Sequence, residues 1–430
     1  MSTAIPRREF AVLFAALLTV AAGNTAMQTV MPGIARAVGM PDLTVAFVFS
    51  ISALLWTFTA PYWARKSDVR GRRRLIQLGV VAFGVSMLGC GLVIYAGLNG
   101  VFGATVTFVL FALMRMVFGL FGSASNPASQ AYVAARTSEA ERTGALSILA
   151  SAFGLGTIVG PAVAPLFVMG KAGFSGPMFM FALVAVVLLF AVQRFLPDDD
   201  PQNRAEGFGA AASEPLVSGG ASGASLRAAT AGRGVKLSAR DPRIRAFIVF
   251  GFASGSVQAA TGQAMGFLII DRIGGNVMEA SEYIAIAFMA GAGATLLAQW
   301  GLIPNLKLKP PALMRYGTLI AALGTAVTAS ANDFHGLVLG FALASLGYGL
   351  ARPGYTAGAS LAVSRAEQGG VAGAVTAVNG ACYIAGPAIG IGLYTLMPEL
   401  PYWLGTVALL LLLAFVMATP VLRRDVARED

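Results

Sequence analysis

Residues 63–79 read WARKSDVRGRRRLIQLG, and apolar stretches of spanning length, 43–64 and 75–97, press in on this segment from both sides. Six basic residues and one acid crowd around a single glycine. Such a run cannot lie in hydrocarbon, where one arginine at the centre of a helix costs about 2.5–3.5 kcal/mol. Its flanks are equally unsuited to water. The pattern reads as a tight loop at a membrane surface between two spanning helices, with Gly71 permitting the turn. Asp68 can pair with a nearby arginine or face a helix N-terminus, where negative charge is favoured.

The same alternation continues in both directions. Apolar stretches long enough for a bilayer, roughly 20 residues each, recur at 10–32, 43–64, 75–97, 102–133, 144–168, 174–196, 245–270, 282–303, 312–331, 335–362, 370–397 and 401–422. The fold class is therefore an all-α membrane protein with twelve transmembrane helices. Composition agrees: of 430 residues 57% are apolar and 12% charged, about half the charge of a soluble domain, and the mean hydropathy is +0.73. Arg7 and Arg8 precede an apolar run that reaches about Val30, long enough for a retained first helix rather than a short cleavable signal. One long polar segment interrupts the series. It opens with Asp198, Asp199 and Asp200 and is then rich in Gly, Ala and Ser, a composition that cannot bury a core. The expected organisation is an N-terminal six-helix half (1–196), a flexible cytoplasmic linker (197–243) and a C-terminal six-helix half (244–430).

The net charge of +10 is explained by topology. With the N-terminus inside, most lysines and arginines fall in the inner loops and termini, and only Arg36, Lys171 and Arg272 fall outside. Short loops biased in this way place both termini in the cytoplasm. No polar, basic, aromatic-studded domain exists to hold a nucleic acid. Cys90 and Cys382 lie in separate apolar segments and form neither a disulfide framework nor a metal pattern, and the one histidine, His335, sits in a short polar link. No acid pair, metal cluster or activated nucleophile is visible, so the sequence is not read as an enzyme, and no metal or cofactor is implied.

An internal repeat divides the chain. Shifted by 226 positions, 127–162 aligns without gaps on 353–388, matching Gly154, Gly160 and Pro161 with Gly380, Gly386 and Pro387, and Glu141 with Glu367. Helices 4–5 thus correspond to helices 10–11, and the chain reads as two parallel six-helix repeats. Transporters built from repeats hold substrate near the midplane and work by rocking one half against the other.

The 63–79 loop resembles the signature G-x-x-x-D-R-x-G-R-R of the major facilitator superfamily. Asp68, Gly71, Arg72 and Arg73 occupy matching places, whereas Ala64 stands for the first glycine, and Val69 for the arginine, with Arg70 one place later. The resemblance implies a twelve-helix facilitator fold in which this loop gates the inner side, joined by Glu141 and Arg142 of the RTSEAERTG loop. Helix 4 reads LMRMVFGLFGSASNPASQAY. Arg115 falls halfway across it, where an arginine normally faces a bundle interior or a wet cavity. With Gly119 and Gly122 it is similar to the family's arginine-bearing signature, implicated in proton transfer in antiporters. Helix 5 reads GLGTIVGPAVAP. Its glycines allow close helix approach and Pro161 bends the chain; the string resembles an antiporter signature enriched in exporters, with Ala164 and Pro165 in place of its final glycine pair. Gly154, Gly160, Pro161, Gly386 and Pro387 are the expected bending points.

Polar residues inside spans are the candidates for substrate contact: Asn24 and Gln28 in helix 1, Gln258 and Gln263 in helix 7, Arg352 in helix 10, and Asn379 and Tyr383 in helix 11. No Asp or Glu falls mid-span, the nearest being Asp42 and Asp271 at outer ends. Arg115 and Asp271 are therefore the proton-coupling candidates, and the cavity is expected to be neutral to positive. The expected activity is export of a small neutral, zwitterionic or anionic drug or metabolite by a monomer in a bacterial inner membrane, coupled to protons by antiport. The alternatives are an uncoupled or importing facilitator of the same family, or a non-transporting membrane sensor.

Overall fold

The computed structural model describes residues 5–137, 139–168, 173–198, 241–274, 277–364 and 367–423. Among these residues there is no β-strand, and twelve long helical spans follow one another in the places the apolar pattern predicts. The first six are α1 (Arg7–Val38), α2 (Asp42–Arg70), α3 (Arg72–Leu98), α4 (Ala104–Ala135), α5 (Glu139–Val163) and α6 (Gly176–Phe195). The second six are α7 (Arg245–Ile273), α8 (Val277–Leu296, extended to Leu306), α9 (Pro310–Ser330), α10 (Phe334–Leu361), α11 (Gln368–Leu396) and α12 (Leu400–Ala418). They form two compact units, α1–α6 and α7–α12. The predicted linker, 197–243, lies mostly outside the described residues.

Eleven spans are long and apolar enough to cross a membrane. The exception is α7. At 29 residues it has the length, but Ser254, Ser256, Gln258, Thr261 and Gln263 dilute its apolarity. Breaks in regular helix coincide with prolines. α4 tightens to a 3₁₀ turn at Gly122–Ala124 just where the ring of Pro127 crowds the carbonyl of Ser123, four residues back. α5 likewise passes into a 3₁₀ turn at Ala164–Phe167, where Pro165 has no N–H to continue the ladder.

Within each unit a helix pair related by the sequence repeat approaches closely enough to exclude side chains. A Cβ on Gly160 of α5 would strike the Ala22 carbonyl oxygen and Thr25 Oγ1 of α1. A Cβ on Gly386 of α11 would strike Ala259 and approach the Ser256 carbonyl of α7. The two halves of the sequence repeat thus serve the same packing task, α5 on α1 and α11 on α7. Thr25 Oγ1 donates across the first seam to the Gly156 carbonyl (3.3 Å), and Cys382 Sγ across the second to the Phe252 carbonyl (3.3 Å). Pro161 and Pro387 lie inside α5 and α11 on these seams, where each removes one ladder bond. Gly154 stays half-buried two residues before Gly156.

Candidate functional site

In the first unit the sequence places one cation inside a span, and the fold buries it. Arg115 of α4 is 1% exposed. Its Nη2 donates to Asn24 Oδ1 of α1 (2.8 Å), and its guanidinium lies 4.8 Å from the Phe118 ring centroid and 5.4 Å from that of Phe49. Ser52 Oγ of α2 donates to the Arg115 backbone carbonyl (3.2 Å), fastening the helix at this level. Nε and Nη1 have no hydrogen-bond partner among the described residues. Two aromatic faces can hold a cation electrostatically, but they leave those two donors unsatisfied. Gln28 is half-buried one turn beyond Asn24.

The second unit holds its polar residues differently. Tyr355 OH of α10 donates to Asn379 Oδ1 of α11 (2.7 Å). Arg352 lies one turn before Tyr355 and is half-buried, Tyr383 is buried one turn beyond Asn379, and Gln258 and Gln263 are half-buried on α7. The geometry brings Asn24 to Arg115, each a candidate on sequence grounds. It gives Asn379 a partner, Tyr355, that sequence reasoning overlooked; its spacing of three from Arg352 was the available signal.

At the end of α7, Asp271 is exposed and accepts from Tyr394 OH of α11. Its neighbour Arg272 forms an ion pair with Glu399, the residue capping α12 (2.6 Å), and donates to the Ala329 carbonyl of α9 (3.3 Å). Asp271 and Arg272 therefore tie α7 to three other helices, with Tyr394 and Glu399 as partners that the sequence reading did not select.

The loop of residues 63–79 shrinks to one residue. α2 ends at Arg70, α3 begins at Arg72, and Gly71 between them has φ 93°, a value open to glycine and strained for other residues. Arg72 is buried. Arg73 Nη2 donates to the Gln193 carbonyl in the last turn of α6 (2.6 Å) and its Nη1 lies 3.3 Å from Asp198, a cation placed where helix carbonyls end. Glu141 is exposed on α5. The side chains of Asp68 and Arg142 lie outside the described residues. Two further tethers hold the starts of α1 and α7 within their own units, the first to α4 and the second to the residue before α11. Tyr132 OH donates to Glu9 (2.7 Å), and Arg243 pairs with both Asp241 (2.9 Å) and Glu367 (2.7 Å). Glu367 also accepts from the Ser364 backbone and hydroxyl. The bond from Arg243, then those from Ser364, hold the Glu367 carboxyl at about 2, below its ordinary 4.5.

The Major Facilitator Superfamily profile matches residues 13–322, most of the chain. The chain belongs to the major facilitator superfamily. By family and by its apolar spans it is a multi-pass membrane protein of a transporter superfamily. It is similar to the multidrug resistance protein 2 of Bacillus subtilis (strain 168), 28% identical over 163 residues that make up 38% of this chain and 37% of that protein. It is also similar to the puromycin resistance protein pur8 of Streptomyces alboniger, 30% identical over 122 residues, 26% and 24% of the two chains. The matches thus span little more than a third of the first relative and about a quarter of the second. Among solved structures the human organic anion transporter MFSD10 (TETRAN) superposes with TM-score 0.64 at 19% identity, over 96% of this chain and 100% of that one. The nucleoside transporter NupG superposes with TM-score 0.69 at 12% identity, over 96% and 99%. At such identities the likeness establishes the fold.

Proposed function

We propose that this transporter exports a small neutral, zwitterionic or anionic drug or metabolite from a bacterial cytoplasm across the inner membrane, by alternating access and antiport with protons. The observation that carries the charge class is Arg115. It is a buried cation whose partner is an amide, whose Nε and Nη1 are open among the described residues, and whose span holds no acid to attract a lipophilic cation. A substrate carboxylate or carbonyl would satisfy donors that are otherwise costly to leave bare. Similarity to two proteins named for drug resistance supports the outward direction. The protein acts as a monomer with both termini cytoplasmic, and residues 197–243 link the two six-helix halves.

In this reading Asn24, Gln28, Gln258, Gln263, Arg352, Asn379 and Tyr383 line the route. Asp68, Gly71, Arg72, Arg73, Glu141 and Arg142 form the inner gate, and Gly154, Gly160, Pro161, Gly386 and Pro387 let α5 and α11 bend. Arg115 and Asp271 carry the proton coupling. One observation favours a second reading: with no acid mid-span, an uncoupled facilitator would need no further residues. Purified protein in liposomes, with a pH dye inside and an imposed pH gradient, separates the two. Proton movement on adding one member of an anionic, neutral and cationic panel is the expected result. Flux of a labelled anionic or neutral compound without proton movement would leave the uncoupled carrier, and proton-coupled flux confined to cations would overturn the charge class.

A further inference from the structure

The turn joining α8 to α9 carries chemistry that the transport reading leaves unused. α8 passes at its end into a π-helical turn, Leu297–Leu302, and then a last α-helical turn, Ile303–Leu306. A π turn takes up an extra residue, which rotates the side chains beyond it by about 100° at 3.6 residues per turn. The consequence is a division of side chains. Leu302 and Ile303 pack inward on Ala298, Leu313 and Leu350, while Trp300 and Leu306 are 59% and 57% exposed. Tyr316 of α9 is 56% exposed. Trp300 and Tyr316 each stand six residues from the turn, about 9 Å along a helix, the interfacial depth that aromatic rings with a polar edge prefer.

The turn itself is cationic. Lys307 ends α8 at φ 48°, the one non-glycine residue with positive φ among the described residues, a conformation that L side chains adopt at a cost. Leu308 packs on the inner cluster, which leaves Lys307 and Lys309 exposed on either side of it. Arg315, in the second turn of α9, is half-buried, with an Nε that has no hydrogen-bond partner among the described residues. From Tyr283 to Asn332 the chain contains no Asp or Glu. Three cations thus gather within nine residues, next to exposed aromatic and aliphatic side chains, on a stretch of sequence without Asp or Glu.

We propose that the α8–α9 turn is a binding site for the headgroup of an anionic phospholipid. Lys307, Lys309 and Arg315 hold the phosphate, and Trp300, Leu306 and Tyr316 flank its acyl chains. Charge complementarity selects this occupant. A zwitterionic lipid would meet the rings but bring an ammonium to three cations, whereas an anionic headgroup accepts from all of them. The orientation proposed above puts the turn on the cytoplasmic leaflet, where anionic lipid is attracted to basic segments. The contact itself does not depend on that orientation.

The test places purified full-length protein in nanodiscs that carry brominated phosphatidylglycerol or brominated phosphatidylcholine at equal low mole fraction. The contribution of Trp300 is read as the fluorescence difference between wild type and Trp300→Phe. The expected result is severalfold stronger quenching of that contribution by the brominated anionic lipid, with the preference abolished in Lys307→Gln/Lys309→Gln. Equal quenching by the two lipids, or a preference that survives the double substitution, overturns the proposal. Both leaflets of a nanodisc carry the same lipid and no flux is measured. A negative result therefore speaks to this site alone, and a wrong transport direction would leave the quenching unchanged.

Discussion

The two halves share a packing scheme and differ in what they bury on it. In α1–α6 the buried polar centre is a cation, Arg115, bonded to one amide and flanked by Phe49 and Phe118. In α7–α12 a buried side-chain bond is instead a neutral pair, Tyr355 with Asn379, and it joins α10 to α11 rather than to α7. The repeat shows how this came about. Under the 226-residue shift Gly160 meets Gly386 and Pro161 meets Pro387, while Ser129 meets Tyr355 and Phe153 meets Asn379. Gly160 and Pro161, on the α5 seam, are kept in α11, whereas the polar pair of Tyr355 and Asn379 has no counterpart at Ser129 and Phe153. A small side chain on either helix suffices to close a seam. In the first unit Gly156 of α5 accommodates Ala21, and in the second Gly255 of α7 accommodates Cys382. Packing therefore constrains a pair of residues, whereas recognition chemistry is free to diverge between halves.

The sharpest test of this asymmetry is Arg115→Gln set beside Tyr355→Phe in the liposome assay. Loss of a charged donor set worth about 1.5–3 kcal/mol is expected to lower flux at least about tenfold, with the helical content unchanged by circular dichroism. If Tyr355→Phe were as damaging, the two centres would be equivalent and the comparison would fail. Next come the seams. Gly160→Leu and Gly386→Leu are each expected to destabilise the purified protein by about 1–3 kcal/mol through overpacking, read as the midpoint of thermal unfolding. A harmless Gly386→Leu would show that only the first half retains the tight seam.

A smaller effect is expected at the neutral pair. Tyr355→Phe with Asn379→Leu should show a coupling energy near 0.6 kcal/mol, about the usual size for a hydrogen bond between membrane helices, in a double-mutant cycle of unfolding. The smallest effect concerns pH. Because the Glu367 carboxyl is held at about 2 against an ordinary 4.5, the stabilisation it provides is complete above about 4.5 and is lost as pH falls towards 2. Glu367→Gln should flatten stability against pH in that window. A slope identical to wild type would mean the Arg243–Glu367 contact does not persist in solution.

Much of the architecture was legible because burial in lipid is read residue by residue along a helix. The eleven apolar spans, a tight basic turn around Gly71 and the Gly-Pro repeat all follow from local composition, although the turn is one residue long where the apolar pattern left 65–74 outside the spans. α7 was legible for its length and charge-free interior even though its glutamines and serines lower its apolarity. The candidate site was legible as residue types only. Asn24 and Arg115 each stand out as polar side chains within a span, but nothing in either segment says that they meet. Tyr355, Tyr394 and Glu399 drew no attention, since a tyrosine in a membrane helix or a glutamate in a loop is ordinary until its partner is known. The π turn of α8 went unread although Pro304 stands just beyond it: its ring crowds the Trp300 carbonyl, four residues back, within Leu297–Leu302.

What the amino-acid sequence by itself determined is the number and order of the spans, the basic loops between them and the duplication that relates them. Hydropathy and charge act locally and add along the chain, so they need no knowledge of neighbours. What only the tertiary structure decided is which polar atoms are satisfied. The bond from Arg115 to Asn24 joins residues 91 apart, and that from Arg272 to Glu399 joins residues 127 apart. Such pairings depend on how each helix is rotated about its own axis, and that rotation is set by packing of small residues on backbone, as at Gly160 and Gly386, rather than by hydropathy.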